Sequence, residues 1–238
     1  LTCCQRSQVA CKSPSCIFFP RDSDDVAAVV QLLRNSTDLF AVRSGGHSPL
    51  SEWANVNDGV LISMRDIKEL TFDANKSEVR SGSGNRWGEI YEFLEPSKRL
   101  IVGGRSPTVG FRLLGGLSHL SNEFGLVSSI VIALDVVPVN GTKVVVSESS
   151  NPDLFWAFRG GGSNYGTLLE MRESTNLTLL GIVTHPTFRT VPMGQVWGGS
   201  IIYSGNKRDF VMAHLMQATF GNVSAKLRRS AQSLNVGA

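Results

Sequence analysis

The chain has 238 residues, 42% of them hydrophobic and 18% charged, which excludes a disordered polyelectrolyte and allows a sizeable core. Its formal charge of +3 comes from scattered Lys and Arg, densest at Lys226, Arg228 and Arg229, too sparse for a nucleic-acid footprint. No apolar run approaches the ~20 residues that span a bilayer, so neither nucleic acid nor membrane is an expected partner.

The four cysteines, Cys3, Cys4, Cys11 and Cys16, all precede residue 17. Their spacing fits no common zinc pattern and leaves three complete pairings open, and disulfides in an oxidising compartment are the expected use. Asn-x-Ser/Thr acceptors at Asn35, Asn75, Asn140, Asn176 and Asn222 point the same way, to a secreted glycoprotein. The chain starts at Leu1 rather than Met, which a removed signal peptide and a partial gene model both explain.

Cys16 to Phe19 reads as a strand that Pro20 ends. Ser23 is the expected N-cap of a helix whose apolar stripe is Val26, Val29, Val30 and Leu33. Strands are predicted at Leu39–Val42, Val60–Ile62, Leu70–Phe72 and Val79–Ser81, and a helix with Trp87, Ile90, Tyr91 and Leu94 on one face. A long apolar strand over Ile130–Val137, the Asn140-Gly141 turn and Val144–Val146 read as a hairpin. Asn151-Pro152 opens a helix that runs to Phe158 and is stopped by Gly160-Gly161-Gly162. Helices and strands alternate without a repeat, so the expected class is α+β.

The strand ending near Val42 runs into Arg43-Ser44-Gly45-Gly46-His47-Ser48. Glycines there admit positive φ and let successive N–H groups converge on an anion, which suits a phosphorylated ligand, although the hexapeptide alone also reads as a tight surface turn. The nicotinamide fingerprint is absent. Gly82-x-Gly84 comes nearest, but its third glycine is Gly88, one position late and inside a helix, so a nicotinamide-dependent dehydrogenase is the weaker enzyme reading.

Four segments in order narrow the choice: Arg43 to Ser48, Gly84-Asn85-Arg86-Trp87-Gly88, Gly103-Gly104-Arg105-Ser106-Pro107-Thr108-Val109-Gly110, and Leu154 to Gly166. Together, over roughly residues 12 to 205, they resemble the berberine-bridge-enzyme-like flavin oxidases, fungal branch, which share their FAD-binding (PCMH-type) domain with vanillyl-alcohol oxidase. The resemblance implies a two-subdomain FAD domain over 12–192, divided at about 100/101. It would follow a Cys-containing segment at 1–11 and precede the truncated start of an α+β substrate domain at 193–238, with a strand over Gln195–Tyr203 and a helix over Asp209–Phe220.

By the same resemblance His47 is the covalent FAD tether, bonded to the flavin 8α-methyl carbon. Cofactor contacts are implied for Arg43, Ser44, Gly45, Gly46, Ser48, Gly104, Arg105, Ser106, Thr108, Val109, Gly110, Gly115, Gly116, Gly125 and Ile182. Ser106 stands where many relatives carry a second, cysteinyl tether, so a single attachment is expected. The implied reaction is an oxidase's: hydride from a small alcohol, sugar or alkaloid-like substrate to flavin N5, then O2 as acceptor. No metal and no protein partner is implied, and no catalytic base can be named. His119, His185, His214, Glu123, Glu148 and the tyrosines read as surface or structural residues.

Departures from the family keep a second reading open, a truncated FAD-binding remnant without activity. Phe111-Arg112-Leu113-Leu114-Gly115-Gly116 is short by residues against the family's glycine-rich run, and Ser129-Ile130 replaces an Asp-Asn pair. Fifteen residues, 167–181, separate Asn164-Tyr165-Gly166 from Ile182-Val183-Thr184, which are adjacent in relatives. Their codons admit a splice donor at Gly166-Thr167, a branch point at Leu177-Thr178 and an acceptor at Leu180-Gly181, so a retained in-frame intron is expected there, with a genuine insertion as the alternative.

Overall fold

The computed structural model describes residues 8–48, 54–110, 116–160, 181–194 and 202–220, the last four without their side chains. A small parallel sheet comes first. β1 (Cys16–Phe18), β3 (Val60–Ser63) and β2 (Phe40–Arg43) lie side by side in that order, with Ile17 and Ala41 both opposite Leu61. Parallel neighbours need a crossover, and α1 (Ser23–Arg34) supplies it. Its stripe of Val26, Val29, Val30 and Leu33 is buried against Phe40, Val42 and Ile62. Each such side chain removed from water contributes about 1.5–3 kcal/mol.

The start of α1 corrects the sequence reading. Asp22, not Ser23, is the N-cap, its carboxylate accepting from the backbone N–H groups of Asp24 and Asp25 at 2.9 Å each. A full negative charge suits the positive end of the helix better than a hydroxyl. Ser23 is the first helical residue, and its hydroxyl donates to Thr184 Oγ1 at 3.0 Å.

The second sheet is larger and antiparallel. Its elements are β4 (Leu70–Asp73), β5 (Glu78–Ser81), β6 (Arg99–Ile101), β7 (Val131–Val137), β8 (Val144–Ser147) and β9 (Ile182–Pro192). The order is β4-β5-β9-β7-β8, with β6 on the far end of β9. Asn140-Gly141 does join a hairpin, but within a six-residue connection: Gly141 takes φ +75° and donates to Pro138 O at 2.9 Å. Among the helices, α2 (Trp87–Leu94) and α4 (Pro152–Phe158) match expectation, and α3 (Ser121–Phe124) was not foreseen.

One face of this sheet is dry. Val79, Leu134, Val136, Val183 and Phe188 pack against Trp87, Ile90 and Leu94 of α2 and Phe155 and Phe158 of α4. Val137 and Ile182 join the cluster under α1 instead, which ties the two sheets together. The α+β class holds. α5 (Arg208–Phe220) lies where a helix was expected; most of the strand expected over 195–203, the basic group near Lys226 and residues 167–180 lie outside the described residues. No helix among the described residues is long and apolar enough to cross a membrane, and no cluster among them could hold a metal.

Candidate cofactor site

β2 delivers Arg43 to the carboxyl edge of the parallel sheet, the edge at which open α/β sheets bind ligands. The chain then turns through Ser44–Ser48. Gly46 has φ +63°, a left-handed conformation of the kind used where successive N–H groups bind an anion. Gly45 is exposed, His47 is half-buried and Ser48 is buried.

This loop lies directly against a second one. A Cβ on Gly45 would fall 2.5 Å from Gly110 N, and one on Gly110 would fall 2.6 Å from Gly45 Cα. Both distances are shorter than any real Cβ tolerates, so two glycines are required for the backbones to touch. Ser44 adds a side-chain link, its hydroxyl donating to the carbonyl of Ser83. Gly110 in turn forms an isolated bridge with Arg86 at the mouth of α2. Three glycine-bearing segments far apart in sequence, 43–48, 82–88 and 103–110, thus meet.

Within the second loop Arg105, Ser106 and Thr108 are exposed, and Ser106 Oγ lies 3.2 Å from Thr108 Oγ1. Gly104 and Val109 are half-buried, their carbonyls accepting from Tyr91 and from the Trp87 backbone. The remaining candidates sit elsewhere. Gly116, at φ +63°, accepts from Val127 N, and Gly125, at φ +82°, ends α3. Ile182 is fully buried beneath α1. Gly115 lies outside the described residues, as does Arg112. Of the Ser129-Ile130 pair, Ile130 is buried in the core and Ser129 O accepts from Arg159.

Residues 14–147 match the family described as FAD binding domain. The chain belongs to that family. It is 40% identical over 211 residues to the bifunctional solanapyrone synthase of Alternaria solani, covering 88% of this chain and 38% of the synthase. Among solved structures it resembles the xylooligosaccharide oxidase of Myceliophthora thermophila, at 28% identity and TM-score 0.70 over 80% of this chain and 38% of that one. The glucooligosaccharide oxidase of Acremonium strictum, with a 6-S-cysteinyl, 8α-N1-histidyl FAD, aligns at 26% identity and TM-score 0.68 over 79% and 37%. The chain thus spans under two fifths of the length of these relatives. Relatives that share this domain are FAD-linked oxidoreductases and FAD-dependent monooxygenases.

The residues present fit FAD. The touching glycine loops bring two backbones together at the carboxyl edge of β2, a place suited to a diphosphate, with the partly exposed His47 in the same loop. Arg43 and Arg105 bring positive charge, Ser106 and Thr108 hydroxyls.

A second polar assembly was not foreseen. Arg80 donates through Nε and Nη2 to Asp135 Oδ2 at 2.9 and 2.6 Å, and through Nη1 to Glu69 Oε2 at 3.0 Å. His185, 4% exposed, lies 3.6 Å from Glu69 and 3.2 Å from Thr184 Oγ1. Burial disfavours Arg80's charge, but the two carboxylates outweigh it and hold the guanidinium above its ordinary pKa. Burial, helped by Arg80, pushes the His185 imidazole below its ordinary value, against the pull of Asp135 and Glu69. With Ser23, Asp24 and Lys143 these groups line an open cavity of about 390 Å³. The only sequence signal was a charge in mid-strand, Arg80 after Val79 and Asp135 between Leu134 and Val136; which strands pair was not legible.

Proposed function

We propose that this chain is the cofactor-binding part of an FAD-dependent oxidase that holds its flavin through one covalent bond, at His47. The observation that carries the reading is the Gly45–Gly110 backbone contact, which sets the His47 loop against the Arg105–Thr108 tip. When bound, FAD would supply a two-electron acceptor, taking hydride from a small alcohol, sugar or alkaloid-like carbon and passing the electrons to dioxygen. Arg43, Gly45 and Gly46 would grip the phosphates, with Ser44 and Ser48 bracing the loop. Gly104, Arg105, Ser106, Thr108, Val109 and Gly110 would line the flavin side. A serine hydroxyl at Ser106 forms no thioether, so the attachment is single.

Secretion is part of the proposal. Asn35, Asn75 and Asn140 are exposed, as glycan acceptors must be, and Cys11 and Cys16 lie at the surface. The experiment is anaerobic reduction of the full-length protein. Substrate addition is expected to bleach the yellow flavin band and air to restore it with formation of hydrogen peroxide. A flavin-loaded protein that no small alcohol, sugar or alkaloid-like substrate bleaches refutes the oxidase reading and favours the inactive remnant.

A further inference from the structure

The α2 helix does more than cover the sheet. Its first backbone N–H groups, which no helix satisfies internally, go to the neighbouring loop: Trp87 N donates to Val109 O at 3.0 Å and Gly88 N to Pro107 O at 2.9 Å. One turn on, the Tyr91 hydroxyl donates to Gly104 O at 2.6 Å. The Tyr91 ring is stacked on Trp87, with centroids 6.3 Å apart and 20° between planes. Gly104 is itself fitted to the Trp87 ring, since a Cβ there would lie 2.6 Å from Trp87 Nε1. Burial pushes the phenol's pKa up, so its hydroxyl remains a donor across the working pH range. The loop is therefore gripped at Gly104 and again at Pro107 and Val109, and Arg105 and Ser106, between the grips, are exposed.

We infer that Tyr91 is a positioning residue: its hydroxyl fixes the Arg105–Thr108 tip at the height from which Ser106 faces the flavin. The placement of the tip against flavin rests on the cofactor reading; the grip on the tip does not. Trp87 and Gly88 hold one end through backbone N–H groups, which no substitution short of proline removes. Tyr91 holds the other through a single side-chain atom, so it is the adjustable end. A Tyr91→Phe change deletes that atom and leaves the stacked ring in place.

The test uses the full-length protein with and without flavin. Ser106→Cys puts a thiol at the tip, and attachment joins its sulfur to a flavin ring carbon with loss of the thiol and ring hydrogens, the two electrons going to dioxygen. In flavin-free protein, Tyr91→Phe is expected to raise amide exchange over residues 104–109 about fivefold, the scale of one lost hydrogen bond, with exchange in β7 unchanged. In the flavin-loaded Ser106→Cys background the same change is expected to lower the sulfur-linked fraction several-fold while His47-linked flavin stays at the parent level. Unchanged loop exchange overturns the positioning role, as does a parallel fall of both attachments. Ser106→Cys protein that attaches through His47 alone overturns the placement of the tip. Absence of flavin from His47 in the parent would count against the cofactor reading, and the exchange result would still decide the grip.

Discussion

His47 and His185 stand in opposite kinds of surroundings. The His47 loop is set by backbone: its Gly45 packs on Gly110, its Gly46 is left-handed, and the loop that carries Gly110 accepts from N–H groups of α2 at Pro107 and Val109. Around His185 almost nothing is backbone, and Arg80, Asp135, Glu69 and Thr184 meet through side chains reaching across β5, β7 and β9. The first region offers a partly exposed His47 beside two backbones in contact. The second has its charges already paired. The difference lies in what fixes each region: backbone contacts set the geometry of the glycine junction, whereas side-chain charges set that of the His185 network.

If that contrast is right, the largest effect comes from the smallest atom. Gly110→Ala puts a methyl group 2.6 Å from Gly45 backbone and is expected to cost about 3 kcal/mol or more, read as a drop in urea midpoint together with loss of bound flavin. A variant that keeps both would break the backbone account of the junction. Asp135→Asn weakens a half-exposed ion pair and is expected to cost about 1–2 kcal/mol in the same melt, with flavin content unchanged, because partial exposure screens the charge.

The pH profile sharpens the comparison further. His185 has a folded pKa below its unfolded value of about 6.5, so the fold favours the neutral ring. Its contribution is complete above that pH and is lost as pH falls through the folded pKa. Thermal stability is therefore expected to decline below about pH 6.5, and His185→Gln is expected to flatten that window. The smallest change expected is a gain. Ser83 Oγ is buried with no hydrogen-bond partner among the described residues, and Ser83→Ala is expected to add about 1 kcal/mol by removing it, seen as a higher melting temperature.

What was legible in the sequence were the local elements and the family segments. The α1 stripe, the β7–β8 hairpin, α2 and α4 follow from periodicity, capping and turn chemistry, which act over a few residues. β9 was not read as a strand from the sequence. Pro186 interrupts it and cannot donate to a ladder, and β7 meets it with register shifts at Val131/Ala133 and Asp135/Val136. β6, three residues long, carries too little pattern to read. For the site, the motifs named the loops, but that Gly45 touches Gly110 is a long-range fact with no local signal. The Arg80–Asp135 pair was hidden for the same reason. Residues 167–181 remain a question for the transcript, in which a mature message lacking those codons is expected and one retaining all fifteen would refute the intron reading.

The central claim is that a glycine-built junction presents His47 to FAD as its one covalent anchor. Peptide mapping of the acid-denatured full-length protein tests it most directly. The account predicts flavin mass on the peptide containing His47 and on no other, and its release on denaturation in His47→Ala. Flavin that leaves the unaltered protein on denaturation, or that maps to any other residue, would contradict it.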